Sequence, residues 1–263
     1  MAKQKQQPLP DVSHWQVQAL RLTAFPSPAA KFDDPKWWKE LLGADAESRN
    51  IRPARGELTE QGPFEKGILV LQVSPLRIDW NLGLNVATGL DLDDPNLPAL
   101  GSLSDVGDKF QKLMAGWLNS ATVPPLQRLA FGAVLRQPVG GHNDGYKLLS
   151  KYLSSVDLSL ESRDFFYQIN RPRKSKIPQV ADLVINRLTK WACVTFQRTI
   201  FQQLADGKTN THVVGGTSYA CSLELDISSS SDYTVELPKQ ALEQMFRELY
   251  GFGKEIASRG DIP

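Results

Sequence analysis

Between residues 76 and 82 the chain reads LRIDWNL, with Leu76, Ile78, Trp80 and Leu82 at every second position and Arg77, Asp79 and Asn81 between them. A period of two sends the apolar set to one face of a strand and the polar set to the other, so this stretch belongs in a sheet with one face packed and one uncovered. The apolar run before it, 68–73, is set off by Ser74–Pro75, the punctuation of a tight turn, which predicts an antiparallel pair.

The same logic extends along the chain. HWQVQALRLTAF (14–25) reads as a first strand stopped by Pro26 and Pro28. DDPKWWKELLG (33–43) reads as a short helix, with Asp33 or Asp34 as cap and Gly43 past its end. The polar stretch 44–66 reads as a long loop, at most with an edge strand. Val106, Phe110, Leu113, Met114, Trp117 and Leu118 share one face of a helix over 104–119. LQRLAFGAVLRQ (126–137) opens a second series: a helix over 144–156, strands at 164–170, 183–200 and 217–227, and a closing helix over 238–257. After a flexible lead-in, 1–12, the order is thus β-α-β-β-α over 13–121 and β-α-β-β-β-α over 122–263. Strands joined by short turns, with few helix-length crossovers, predict an α+β fold. Antiparallel meander sheets would each pack on a long amphipathic helix, as two helix-grip-like units.

Composition narrows the function. Thirty Lys and Arg stand against twenty-nine Asp and Glu, so a surface built throughout for nucleic acid is excluded and any such role is local. No apolar stretch nears the roughly 20 residues that span a bilayer, and the leading lysines are not followed by an apolar core. The two cysteines, Cys193 and Cys221, form no CxxC pair and read as reduced, buried thiols, which fits a cytoplasmic protein without membrane contact.

Motifs that carry chemistry are incomplete. GGHNDGYK (140–147) lacks the spacing and the hydroxyl of a phosphate loop, and His142 has neither His14 nor His212 at a ligand spacing. It reads as a turn, with Asn143 or Asp144 capping the next helix. GGTSYA (215–220) has a strand, not a helix, after Ser218, so it is no nucleophile elbow. DLDDP (91–95) lacks the later ligands of a calcium loop. Glu224 and Asp226, two apart in LELDI, project from one face of a strand about 7 Å apart and form a candidate acidic site. RPRKSK (171–176) gathers Arg171, Arg173, Lys174 and Lys176 between two strands, a candidate contact for the phosphates of RNA or DNA. No catalytic residue, metal or cofactor is assigned, and the reading leans away from an enzyme.

The order of RIDWN, an amphipathic helix, RLAFGAVL, FFYQINRPRK, LELDI and a C-terminal helix resembles a sporadically distributed, functionally uncharacterised bacterial family of about this length, over roughly 15–258. The resemblance implies a bacterial cytoplasmic protein that acts by binding, in a defence or toxin-control setting. The leading expectation is therefore a non-catalytic interaction module with a protein partner or a second copy of itself. The alternatives are a small apolar ligand held between sheet and helix, and nucleic acid on the 171–176 loop, which is the less favoured.

Overall fold

The computed structural model describes residues 9–28, 30, 34–85, 97–180, 182–203 and 209–263; for 198–203 and 209–215 it describes the backbone alone. In chain order these form β1 (Gln16–Pro26), α1 (Trp37–Leu42), β2 (Ser48–Arg52), β3 (Glu57–Phe64), β4 (Gly67–Ser74), β5 (Arg77–Leu84), α2 (Asp108–Asn119), β6 (Leu126–Val139), α3 (His142–Tyr152), β7 (Phe166–Asn170), β8 (Arg173–Lys174), β9 (Val184–Gln203), β10 (Thr209–Ser229) and α4 (Leu242–Arg259). All ten strands join one antiparallel sheet in the order β2-β3-β4-β5-β1-β6-β10-β9-β7, with β8 also on β9. The fold is α+β. The first strands of the two series, β1 and β6, pair with each other at its centre, Leu20 opposite Ala133 and Leu22 opposite Phe131. Outward from that seam each side repeats one order: first strand, last strand, then the strand before it.

The alternating apolar residues and the helices share one side of the sheet. Trp37 of α1 meets Trp117 of α2 at 5.6 Å between ring centroids, Trp117 meets Trp80 of β5 at 6.0 Å, and Trp80 stacks on Trp38 at 6.1 Å. Trp15, from the first series, packs on Trp191 at 6.0 Å and on Tyr152 at 5.5 Å in the second. Phe110, Phe246 and Phe131 bind α2 and α4 to β6. All six tryptophans are buried, so none is left on the surface as a stacking platform.

Several local expectations need correction. The stretch 44–66 is a hairpin, β2 and β3, turning through Pro53–Arg55 and Gly56, whose φ of +62° only glycine adopts readily. Every residue of β2 is exposed, so no apolar period marked it. Leu76 is not in the strand but in the tight turn, 81% exposed. The cap of α1 is Lys36, and Asp34 pairs with Lys36 and Arg49 instead. Gly141 occupies the cap position of α3, with Asn143 and Asp144 inside the first turn. Of the lead-in, residues 1–8 lie outside the described residues, while Leu9 and Val12 pack against the core. The 91–95 stretch also lies outside the described residues.

The loop at 140–147 has a packing role. It lays α3 on β9 and β10, where the Cys221 thiol donates to the Gly145 carbonyl at 3.3 Å. A Cβ on Gly145 would stand 2.5 Å from the Cys193 Sγ. Burial pushes both thiols' pKa values up, which keeps them protonated and unreactive. Gly145→Val should therefore lower stability by about 1–3 kcal/mol through overpacking. An unchanged thermal midpoint would show that α3 can lift off the sheet without cost.

Candidate ligand-binding site

Opposite the helices, the sheet carries the polar half of each alternation, and at its centre this face is hollow. A cavity of about 790 Å³ is lined by β3, β4, β5, β1, β6, β10 and β9. Two rows of register partners form its floor, because residues paired across antiparallel strands project to the same side. One row runs Val70, Asn81, Arg21, Gly132, Asp226, Leu188. The next runs Ile68, Gly83, Ala19, Val134, Glu224, Lys190. Glycine or alanine at Gly83, Ala19 and Gly132 leaves the centre low, while Ile68, Val70, Val134 and Leu188 make it apolar. The result is a trough that crosses the strands.

Its polar groups differ in how they are engaged. Lys190 and Glu224 pair at 3.4 Å across β9 and β10. The Arg21 guanidinium lies over Gly132, whose Cβ position is 3.2 Å from Nε and 3.3 Å from Nη2. Arg21 Nε is shielded from solvent and has no hydrogen-bond partner among the described residues. Among the described residues Arg21 and Asp226 make no ion pair, although they flank the same glycine. One row further on the charges are fully engaged: Thr23 Oγ1 donates to Asp79 Oδ1 at 2.5 Å, and Arg77 grips both Asp79 oxygens at 2.8 and 2.6 Å. That locked network bounds the trough on one side.

The candidate acids Glu224 and Asp226 both line this cavity. The basic loop lies elsewhere and is divided. Arg171 binds Asp261 through two bonds, of 2.5 and 2.7 Å, and Arg173 reaches Glu255 at 2.8 Å and the Pro263 carbonyl. Ser175 Oγ and the Lys176 N–H donate to Glu248 at 2.7 Å each. The two arginines therefore clasp α4 and the residues after it, and Lys174 and Lys176 are the exposed cations of the stretch. His142 sits against the Tyr146 ring, 4.1 Å between centroids, beside a hollow of about 370 Å³ lined by Asn143, Asp144 and Arg163. Ser218 lies within β10, opposite Phe196, not at a strand-to-helix turn. Among the described residues no three His, Cys, Asp or Glu side chains cluster as a metal site would require.

Arg21, Asn81, Gln61 and Gly132 were not marked by the sequence pattern, since polar residues between apolar ones look like any solvated face. The nearest signal was Gly132 itself, a glycine in mid-strand, where a close approach of another group is the usual reason. On the helix side rings and aliphatic side chains pack together, and the hollow described above lies on the opposite, uncovered face. No described helix is long and apolar enough to cross a membrane. No protein-family model matches the chain, and no curated protein is significantly similar to it.

Proposed function

We propose that this chain is a non-catalytic binding module whose uncovered sheet face receives a small amphipathic ligand. The observation that carries the reading is the trough: about 790 Å³, an apolar floor and a few convergent polar groups. Ligand sites commonly enclose roughly 300–1,000 Å³ with this mixture. Glu224 is tied to Lys190 and no nucleophile or base pair converges on the cavity floor, which supports binding over turnover. The two free thiols suit a reducing compartment, and we place the protein in the cytoplasm.

The test is titration of the full chain with N-phenyl-1-naphthylamine, a neutral dye that brightens in apolar surroundings. One saturable site is expected, weakened at least about tenfold by Leu188→Asp, which sets an unpaired carboxylate on the floor. Absence of saturable binding, or equal binding by a Leu188→Asp protein of unchanged circular dichroism, overturns the reading. A second reading, a protein partner, is favoured by edge strand β7, where Phe166 is 60% exposed. It predicts an oligomer or complex in light scattering that Phe166→Lys removes.

A further inference from the structure

The charges in the trough specify what kind of amphipathic ligand it takes. Lys190 and Glu224 neutralise one another at 3.4 Å. Among the described lining residues that leaves one cation, Arg21, and one anion, Asp226, on the two strands either side of Gly132. Two strand spacings put their Cα atoms about 10 Å apart. Arginine is long enough to cross part of that gap, and its guanidinium does lie above Gly132, yet it forms no ion pair with Asp226. Two opposite charges thus face one cavity, each without an ion-pair partner among the described residues, above an apolar floor.

An anionic head group alone would satisfy Arg21 and be repelled by Asp226; a cationic one would meet the converse. A ligand with both charges satisfies both residues. We propose that the trough recognises a short apolar peptide with free termini, its carboxylate on Arg21 and its ammonium on Asp226. With the guanidinium over Gly132, on the strand next to that of Asp226, the two charges stand one strand spacing, ~5 Å, apart, and the termini of a dipeptide, separated by up to about 7 Å when extended, can reach both. The side chains then lie on Val134 and Leu188, which flank that span, while Ile68 and Val70 line the trough further along, beyond Arg21. The proposal rests on the trough being a ligand site and deepens that reading.

The experiment uses leucyl-phenylalanine, its N-acetyl derivative and its C-terminal amide, each titrated calorimetrically into the full chain. The free dipeptide should bind at least about tenfold tighter than either capped form, since each charge-assisted contact adds that much. Arg21→Gln should erase the preference over the amide and keep the preference over the acetylated form, and Asp226→Asn should do the reverse. Equal binding of all three, or variants that leave the preferences intact, overturns the proposal. If the naphthylamine dye binds and no dipeptide does, the trough is an apolar site with a different occupant and the peptide is wrong. If neither binds, both readings fall.

Discussion

Asp261→Ala is expected to unfold at a markedly lower temperature than the parent protein, by roughly 6–12 °C, for a loss of about 3 kcal/mol. The carboxylate side chain is only 3% exposed and accepts from Arg171 at 2.5 and 2.7 Å, from the Tyr167 hydroxyl at 2.9 Å and from Ser155 at 3.3 Å. Gly260 brings it there: with φ at +81° it ends α4 and lets the Asp261 N–H donate to the Tyr152 carbonyl at 2.9 Å. Nearby, Arg187 is 1% exposed, reaches the Ile262 carbonyl at 3.2 Å, and keeps Nε and Nη1 without hydrogen-bond partners among the described residues. Burial, with Arg173 and Arg171 nearby, pushes its pKa down. Removing Asp261 leaves the Arg171 guanidinium without its ion-pair partner and takes one of two compensating charges, Glu255 being the other, from Arg187, which costs more than losing a neutral bond.

The same carboxylate gives a pH signature. Burial raises its pKa, but hydrogen bonds from Arg171 and Tyr167 outweigh burial and hold it below the ordinary 3.8. A depressed folded pKa means that the ionised group stabilises the fold fully above the unfolded value, and that the stabilisation is lost as pH falls through the folded one. Asp261→Asn removes that dependence. The stability gap between parent and Asp261→Asn should therefore be widest near neutrality and close as pH drops below 3.8. A gap constant from pH 7 to pH 2 would show that Asp261 acts by shape alone.

This clasp also shows where pattern reading stops. RPRKSK stood out as a basic run between two strands, and local spacing made it a candidate phosphate contact. What decides its arginines is a tail some 90 residues later in the chain, and nothing local encodes that meeting. The one-sided strands were legible because burial imposes a period of two: Ile78, Trp80 and Leu82 are indeed inward, as are Leu223, Leu225 and Ile227. The hairpin of β2 and β3 was not, because an edge strand with exposed residues on both sides has no period to show. The trough was half legible. Glu224 and Asp226 were found since two carboxylates at i and i+2 share a face within one strand. Arg21 and Gly132 become a site only through register, when β1 sets one directly beside the other.

Register also makes Gly132→Val the sharpest test of whether the trough is functional. The residue sits in the central strand β6 without a positive φ, so its backbone does not require glycine. Valine is a better strand former than glycine by up to about 1 kcal/mol. The atoms nearest its Cβ would be the far end of Arg21, at 3.2–3.4 Å, and that flexible end can swing away. Gly132→Val should thus keep or raise the thermal midpoint while filling the low centre of the floor and pushing the guanidinium out of line with Asp226. Dye and dipeptide affinity should fall at least about tenfold, the scale of one lost charge-assisted contact, with Gly132→Ala in between. Stability and binding moving in opposite directions is the mark of a glycine that keeps a cavity open. If valine lowers stability and leaves binding intact, Gly132 serves the fold, and the hollow above it is not where the ligand lies.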